Sequence, residues 1–462
     1  MAAQDYDLIF LGGGPAGYQG AIRAAQLGLR VAVIEDTDLG GVCLNQGCIP
    51  TKAIRASAEI LYQARQAKDY GIVISEARPD MNAIINRKNR IVTLLREEIA
   101  NLFAANKITL YNGRGKFVSP REIRINESGP VVKGSKIVIT TGSRPKLPAA
   151  FANPIPGVVT SQAMLDVDIL PETLLIIGGG IVGLEIASIA AALGSQVTVL
   201  EEREQMLPKE DRETVAYLEG LMKSQGIKLI NAATEVEAGT QTKDGVTVSL
   251  ANGDTHAAQL VVLAAGRLPN TTDIGLENTG LDYAGGFIPV NEHMETEVKN
   301  IFAAGDVVGG WLLAHVAFME GIIVAEHAAG LPSSMDYRVV PRCLFTFPEY
   351  ASVGLSEEEA QRLHPAQAFT YPLQSHGMAQ ALGAAEGMVK LVVHTMTGEI
   401  LGGHVIGPHA SELVSEIALA MRNKVMPSGI INTIHIHPTM AEAVLEVAQA
   451  SSRKSIHSMP RS

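Results

Sequence analysis

The same glycine-rich pattern occurs twice in this chain and restricts its fold more than any other feature. In each copy an apolar stretch runs into Gly-x-Gly-x-x-Gly, an alanine-rich stretch follows, and a second apolar stretch leads to a glutamate. The glutamate lies 23 residues after the first glycine in both copies. The residues concerned are Gly12, Gly14, Gly17 and Glu35 in the first copy, and Gly178, Gly180, Gly183 and Glu201 in the second.

Each part of the pattern has a physical role in dinucleotide binding. The first glycine permits a tight turn after a strand, the second lets a diphosphate approach the backbone, and the third lets the helix pack closely on the strand. The N–H groups at the helix start bind the diphosphate, and the acid binds ribose hydroxyls. One copy alone would be weak evidence, because a glycine-rich turn has other uses. Two copies with identical acid spacing predict two Rossmann-like domains.

Later landmarks repeat as well. Residues 136–145 and 259–269 are both apolar stretches that lead to a glycine, a basic residue and a proline. The two glycines are Gly142 and Gly266. Up to this glycine the first copy is 42 residues longer than the second. Most of the extra length lies between Glu35 and a strand expected near residues 108–118, which predicts an insertion in the first domain.

Composition excludes several classes of protein. The 462 residues suggest about three domains, and 47% apolar residues supply buried cores. The net charge of −11 argues against nucleic-acid binding, and three cysteines are too few for a disulfide-stapled secreted scaffold. The N-terminal residues lack the basic start of a signal peptide, and glycines and Glu185 interrupt the most apolar stretch, residues 174–194. We therefore expect a soluble, cytoplasmic protein without a membrane span.

The predicted insertion contains two of the three cysteines, Cys43 and Cys48. A regular helix would hold residues five apart too far from each other for a disulfide, but Gly47 and Pro50 predict a distorted first turn. A helix starting here would aim its positive end at the thiols and lower a thiol pKa. The alternatives are half of a zinc site or two unrelated core cysteines. A redox-active pair is favoured, because Cys343 is isolated and no metal-ligand spacing accompanies the cysteines.

Several motifs in the same order resemble the flavoprotein disulfide reductases, the pyridine nucleotide-disulfide oxidoreductase family, and among them the dihydrolipoamide dehydrogenases. Besides the two glycine motifs, these are GGVCLNQGCIPTK at 40–52, IFAAGD at 301–306, LAHVAFMEG at 313–321 and HIHPTMAE at 435–442. The resemblance implies an α/β chain with two Rossmann-like domains and a C-terminal α+β dimerisation domain. The implied divisions are an FAD domain at 1–143, an NAD domain at 144–264, a central segment completing the FAD site at 265–337 and an interface domain at 338–462.

The resemblance also implies roles for individual residues. It places Cys48 against the flavin of FAD and makes Cys43 the thiol that exchanges with the substrate. Lys52 and Glu185 resemble a buried ion pair beside the flavin. Asp306 resembles the residue that binds the ribityl chain, and Ala314 and His315 fall where the backbone approaches the flavin ring, although His315 taken alone would be a core histidine.

The segment with His437 and Glu442 has two interpretations. From the residues alone, Thr439-x-x-Glu442 favours a capping box that opens a helix over 441–450. The family resemblance instead implies a catalytic dyad, in which His437 acts as the base, Glu442 fixes its tautomer, and the histidine serves the opposite subunit of a homodimer. We expect His435 to be structural.

The resemblance implies oxidation of protein-bound dihydrolipoamide, with electrons passing to NAD. Glu201 and Glu202 would repel a 2′-phosphate, which favours NAD over NADP, although Arg203 lies close by. The implied partners are the lipoyl and subunit-binding domains of a dihydrolipoyl acyltransferase in a 2-oxoacid, acetoin or glycine-cleavage complex, and no metal is expected. The alternatives are a glutathione-type disulfide reductase and a non-catalytic flavoprotein subunit. Trp311, the only tryptophan, is expected near the cofactor or the subunit boundary.

Overall fold

The N-terminal part of the chain forms a sheet with a parallel core. The computed structural model describes residues 5–282 and 285–457. The strands are β1 (Asp5–Leu11), β2 (Val31–Glu35), β3 (Thr109–Asn112), β4 (Gly115–Ser119), β5 (Glu122–Ile125), β6 (Val131–Ile139) and a short β7 (Ser143–Pro145). β3, β2, β1 and β6 are parallel neighbours in that order, and β5 and β4 continue from β6 as an antiparallel meander. Every residue of β2 is buried, which shows that both faces of the sheet are covered.

The next part repeats this arrangement. Its strands are β8 (Val158–Thr160), β9 (Thr173–Ile177), β10 (Gln196–Leu200), β11 (Lys228–Ile230), β12 (Val236–Thr242), β13 (Gly245–Leu250), β14 (Thr255–Ala258) and β15 (Leu260–Leu263). The parallel order β11–β10–β9–β15 matches β3–β2–β1–β6, and β12, β13 and β14 form a separate antiparallel meander. The duplication seen in the glycines is therefore a duplication of the fold.

The helices show where the two copies differ. In the first copy, α1 (Pro15–Gln26) follows the glycine turn, and α2 (Gly41–Gln46), α3 (Cys48–Gln66) and α4 (Met81–Ala105) lie between β2 and β3. In the second copy, α5 (Ile181–Leu193) follows the turn and only α6 (Arg212–Ser224) lies between β10 and β11. The predicted insertion is thus helical, and the cysteine pair lies at its beginning.

After β15, the chain returns to the first sheet. β16 (Arg267–Pro269) pairs antiparallel with β7, so the two repeated landmarks contact each other. β17 (Ile301–Ala303) then adds to the first sheet beside β6, in the place that β8 takes in the second sheet. Helix α7 (Ala314–Ala328) packs against α1. This segment therefore completes the sheet that carries the first glycine turn.

The C-terminal part is an antiparallel sheet covered by helices. Its elements are β18 (Arg342–Leu344), β19 (Glu349–Gly354), α8 (Glu357–Leu363), β20 (Ala366–Pro372), α9 (Gly377–Ala381), β21 (Met388–His394), β22 (Ile400–Gly407), α10 (Ala410–Arg422), α11 (Pro427–Asn432) and α12 (Glu442–Ser451). The strand order is β18–β19–β22–β21–β20. The predicted fold class, two Rossmann-like domains with a C-terminal α+β domain, is confirmed. Among the described residues, no helix combines the length and apolar character needed to cross a membrane.

A buried ionic cluster joins the second nucleotide domain to the C-terminal domain. The Lys390 side chain is fully buried on β21, and its Nζ lies 3.0 Å from Asp211 Oδ2. Glu213 and Glu357 each place a carboxylate oxygen 2.7 Å from the same nitrogen. Asp211 also caps α6 by accepting from the Thr214 N–H. One lysine thus neutralises acids from both domains.

We predict that Lys390→Met lowers the free energy of unfolding by about 3–5 kcal/mol, because it leaves Asp211 buried without its cation. The measurement is the Tm of the protein by calorimetry. Lys209→Met is the control, since Lys209 is exposed and this change should stay within about 0.5 kcal/mol. Equal Tm values for the two variants would contradict the prediction.

Candidate active site

The two cysteines lie on either side of a single break between helices. α2 ends at Gln46, α3 begins at Cys48, and only Gly47 separates them, with φ −148° and ψ −108°. A Cβ on Gly47 would lie 3.0 Å from the Val42 carbonyl oxygen, a tight contact for any larger residue. The Thr51 hydroxyl donates to the Gly47 carbonyl oxygen at 2.6 Å and holds the first turn of α3. The distorted turn expected from the sequence is thus a complete helix break.

The break brings the two thiols into contact, and this contact shifts their pKa values in opposite directions. Cys43 and Cys48 are free thiols in this structure and hydrogen-bond to each other. The bond from Cys43, together with the positive charge of Lys52, lowers the pKa of Cys48 from 9.0 to about 7 against the cost of burial. The same hydrogen bond, reinforced by burial, raises the pKa of Cys43 well above its ordinary value. The contact and the nearby lysine therefore favour the thiolate on Cys48 over the thiolate on Cys43.

Lys52 connects the thiols to the second nucleotide domain. Its Nζ lies 2.9 Å from both carboxylate oxygens of Glu185, on α5. Only 7% of the Glu185 side chain is exposed, and its Oε1 also accepts from the Phe345 N–H at 3.0 Å. The Phe345 ring lies 4.2 Å from the lysine nitrogen. The structure therefore joins the two predicted partners and adds Phe345, for which no sequence motif predicted a role.

Each terminal acid braces its own glycine turn. Glu35 Oε2 accepts from the Gly13 N–H at 2.7 Å, and Glu201 Oε2 accepts from the Gly179 N–H at the same distance. The second oxygen of each acid accepts from a backbone N–H two residues further on, at Thr37 and at Arg203. The sequence assigned these acids only to ribose. The signal for the brace was the middle glycine of each Gly-Gly-Gly run, at positions 13 and 179.

The remaining glycines of the motif divide into packed and open positions. A Cβ on Gly17 would lie 1.9 Å from the Gly12 carbonyl oxygen, and one on Gly183 would lie 2.0 Å from that of Gly178. At Gly180 a Cβ would meet nothing within 4 Å, and at Gly14 only the Gly41 Cα at 3.7 Å. Gly14 and Gly180 are also the N-caps of α1 and α5, with no side chain capping either helix. Both turns therefore leave space and free N–H groups for a diphosphate.

The two landmark glycines lie at a crossing between the nucleotide domains. Gly142 and Gly266 both have left-handed φ values, 69° and 106°. The Gly142 carbonyl accepts from the Asn270 N–H, and the Gly266 carbonyl accepts from the Lys146 N–H, both at 2.9 Å. A Cβ on either glycine would meet nothing within 4 Å. The hydrogen bonds of Gly142 and Gly266 therefore hold the two segments together, and the space beside each glycine is open.

Asp306 is held from both sides of this crossing. The Ser143 hydroxyl donates to Asp306 Oδ2, and Arg267 Nε lies 3.5 Å from the same oxygen. The preceding N–H, of Gly305, donates to Glu320 Oε2 at 2.6 Å. Glu320 is 2% exposed, and burial raises its pKa to about 7. Sequence reasoning missed Glu320, although an acid within the largely apolar helix α7 was a usable signal.

The segment from 306 to 314 leads into α7, whose first residue is Ala314. The next side chain, His315, is exposed, and its Nε2 contacts the Pro341 carbonyl at 2.9 Å. Taken alone it was expected to be a core histidine, which is wrong, because the start of α7 faces outward here. Trp311 is half-buried, with its ring 5.3 Å from the Arg342 guanidinium of the C-terminal domain.

His437 and Glu442 are in direct contact. His437 Nδ1 lies 2.9 Å from Glu442 Oε1, and Glu442 Oε2 accepts from the Thr439 N–H at 2.9 Å. The Thr439 hydroxyl donates to the Ile436 carbonyl, and α12 has no side-chain cap. Half of the expected capping box is present, because Glu442 accepts from the Thr439 N–H, whereas the Thr439 hydroxyl bonds backwards along the chain and does not cap α12. Although burial acts to raise it, these hydrogen bonds hold the pKa of Glu442 below its ordinary value.

Two other predicted residues have packing roles. His435 Nε2 lies 3.0 Å from Glu416 Oε1 with its side chain 6% exposed, as expected for a structural histidine. Cys343 is half-buried on β18 against the core of the C-terminal domain. Within 5–282 and 285–457, no group of three or more His, Cys, Asp or Glu side chains is arranged to hold a metal ion.

Comparisons with known proteins cover nearly all of the chain. Residues 6–321 match the family described as pyridine nucleotide-disulphide oxidoreductase, and residues 340–448 match its dimerisation domain. The chain is 39% identical to dihydrolipoyl dehydrogenases of Chlamydia pneumoniae, over 99% of this chain and 100% of that protein, and of Bacillus subtilis, over 98% and 100%. Among solved structures it resembles LpdA from Mycobacterium tuberculosis, with a TM-score of 0.89, 28% identity and coverage of 96% of this chain and 98% of that one.

We predict that Lys52→Gln raises the pKa of Cys48 above about 7, because the substitution removes the positive charge that favours its thiolate. The measurement is the ultraviolet absorbance of the thiolate in the reduced protein as a function of pH. Lys68→Gln, an exposed change just beyond the end of α3, is the control and should leave the midpoint unchanged. A midpoint that does not move in Lys52→Gln would remove Lys52 as a cause of the low pKa.

Proposed function

The chain belongs to the pyridine nucleotide-disulphide oxidoreductase family, and on that premise we propose that it acts as a dihydrolipoyl dehydrogenase. It oxidises protein-bound dihydrolipoamide to lipoamide and passes two electrons to NAD⁺. The observation that carries this proposal is the thiol pair at the start of α3, in which one sulfur has a pKa of about 7 and the other a raised pKa. A pair with this asymmetry is suited to thiol–disulfide exchange.

The cofactors are FAD and NAD, and the two glycine turns fit them. We assign FAD to the first turn, with Gly14 at its diphosphate, and NAD to the second, with Gly180 in the same role. Bound FAD supplies the two-electron acceptor beside the thiols and the electron donor to NAD⁺. Glu201 favours NAD over NADP, because its carboxylate lies beside the turn and would repel a 2′-phosphate.

We assign Cys43 as the sulfur that the substrate attacks and Cys48 as the sulfur that leaves. A dihydrolipoyl thiolate attacks Cys43 in the Cys43–Cys48 disulfide, forms a mixed disulfide, and releases Cys48 as a thiolate. The second dihydrolipoyl thiol then displaces Cys43 and closes the lipoamide ring, so the substrate loses two electrons and two protons. The positive charge of Lys52 supports this assignment, because it favours the Cys48 thiolate, and the sulfur that is the more stable thiolate leaves faster.

His437 supplies the base for this exchange. With Nδ1 bonded to Glu442, its Nε2 is free to accept the proton of the dihydrolipoyl thiol. Glu442 remains ionised and fixes the tautomer, since its pKa is lowered. The His437 side chain is 80% exposed on its own chain, which suits a residue that serves another subunit.

The protein is a homodimer, in keeping with the dimerisation domain that residues 340–448 match. We assign His437 of each subunit to the cysteine pair of the other. The lipoyl and subunit-binding domains of a dihydrolipoyl acyltransferase are the proposed partners within a multienzyme complex. The net charge of −11 suits a basic docking module, although such an excess also favours solubility alone.

The proposed function is tested by supplying NADH with either lipoamide or glutathione disulfide. We predict rapid NADH oxidation with lipoamide and little with glutathione disulfide, because the assigned chemistry is that of the lipoyl dithiol. NADPH in place of NADH is the control for the role of Glu201 and should support little turnover. Reduction of glutathione disulfide with lipoamide ignored would overturn the proposal and favour a glutathione-type reductase.

We predict that Cys43→Ser abolishes lipoamide turnover while FAD remains bound, because the serine oxygen forms no disulfide with Cys48. Turnover is measured as above, and bound FAD by its visible absorbance. Cys343→Ser is the matched control, since Cys343 packs on β18 and takes no part in the exchange. Unchanged turnover in Cys43→Ser would exclude Cys43 from the mechanism.

A further inference from the structure

A second ion pair, separate from the thiol site, ties the second nucleotide domain to the C-terminal domain. The Arg342 guanidinium forks onto Glu210, with Nε 2.6 Å from Oε1 and Nη2 3.1 Å from Oε2. The two side chains are 11% and 7% exposed. Glu210 Oε2 also accepts from the Tyr350 hydroxyl at 3.1 Å and the Ser352 hydroxyl at 2.6 Å. A carboxylate from one domain is thus inserted among donors of another.

Glu210 lies near the end of the loop that closes the second glycine turn. That loop begins at Glu201, which accepts from the Gly179 N–H, and continues to Leu207, whose N–H donates to the Gly179 carbonyl oxygen at 3.0 Å. The Glu210 N–H then donates to the Leu207 carbonyl oxygen at 2.9 Å. Both backbone polar groups of Gly179 are therefore fixed by the loop that carries Glu210.

The other side of Arg342 faces the flavin segment. Its guanidinium lies 5.3 Å from the centre of the Trp311 ring, a cation–π arrangement. Trp311 lies between Asp306 and Ala314, the two residues assigned to the ribityl chain and the flavin ring. Arg342 therefore touches the loop of the second turn on one side and the flavin segment on the other.

We propose that Glu210 and Arg342 are positioning residues that set the second glycine turn against the 306–314 segment, with Trp311 covering their ion pair. This rests on the proposed function, which assigns NAD to that turn and FAD to that segment. Electron transfer from one cofactor to the other requires close alignment, and a misplacement of about 1 Å costs on the order of a hundredfold in rate. The ion pair therefore acts on NAD⁺ reduction and leaves thiol exchange unaffected.

The neighbouring Asp211 makes it possible to test a positioning role of Glu210 without undocking the domains. Asp211 anchors the same loop end to Lys390, in a pair that is fully buried on both sides. Loss of the Glu210 charge leaves this second anchor in place, so the domains stay docked. The loss changes the orientation of the 201–210 loop relative to the 306–314 segment, because the Glu210–Arg342 contact is the one that connects this loop to Trp311.

The test uses Glu210→Gln in the FAD-loaded protein and measures the two half-reactions separately. We expect flavin reoxidation by NAD⁺ to slow about tenfold, while flavin reduction by dihydrolipoamide stays within about twofold of the wild-type rate. Glu213→Gln is the matched control, because it removes the same charge three residues away, from a side chain that contacts Lys390 and is 54% exposed. Both half-reactions of the control should match the wild type.

Tryptophan emission gives a second readout that does not depend on turnover. Trp311 is the only tryptophan in the sequence, so all tryptophan emission comes from the proposed contact. We expect NAD⁺ to change the emission of the wild-type protein and not that of Glu210→Gln at saturating NAD⁺. Arg342→Lys keeps the positive charge but loses the two-nitrogen contact with Glu210. Trp311→Phe removes the indole ring that packs on the guanidinium. Each should slow flavin reoxidation by a smaller factor than Glu210→Gln does.

The outcomes separate this inference from the proposed function. A wild-type protein that dihydrolipoamide does not reduce would overturn the proposed function. With a competent wild type, a normal reoxidation rate in Glu210→Gln, or equal slowing of both half-reactions, would overturn the positioning role. An equal effect of Glu213→Gln would do the same. If Glu210→Gln does not fold, Arg342→Lys and Trp311→Phe decide the matter by the same criteria.

Discussion

The ion pair between Lys52 and Glu185 is the contact on which the rest of the site depends. Lys52 comes from the helical insertion of the first domain, Glu185 from the first helix of the second, and the Phe345 N–H from the C-terminal domain. Three parts of the chain therefore meet at one carboxylate. Because the Glu185 carboxylate is 7% exposed and would be costly to bury without its cation, the pair favours the docked arrangement of these parts. The same lysine lowers the pKa of Cys48, so docking and thiol chemistry share one charge.

The duplicated domains explain how such a meeting point arises. Each sheet ends its first strand in a glycine turn, and the insertion in the first copy places α3 against α5 of the second. The thiol pair thus lies at the start of the helix that packs against the second domain. Glu210 and Arg342 make a second link, between the second domain and the C-terminal domain, and Trp311 packs against it. The first link supplies charge to the thiols, and the second is the one that we propose aligns the two nucleotides.

Much of this was predictable because the strongest signals are local. The glycine spacing requires a strand, a turn and a helix in sequence, and the structure has β1, α1 and β2 where that pattern put them. Contacts between residues that are distant in the chain are harder to predict from sequence motifs. Glu320 stands out as an acid in an apolar helix, but no local pattern identifies Gly305 as its partner. Nor does one identify Arg342 as the partner of Trp311 and Glu210, because those residues meet only after the sheets assemble. The capping box expected at Thr439 is only half formed, because the local pattern permits two hydrogen-bond arrangements of the threonine hydroxyl.

The bracing of each glycine turn by its own acid has a consequence for redesign. In both copies one carboxylate oxygen holds the middle glycine N–H and the other holds the chain two residues on. In the second copy, the residue to which we assign the preference for NAD is therefore the same residue that holds the loop in place. A change of Glu201 to alanine to admit NADP would also release the Gly179 N–H. Conversion needs an uncharged acceptor there, such as a hydroxyl, before a basic residue for the phosphate can be useful.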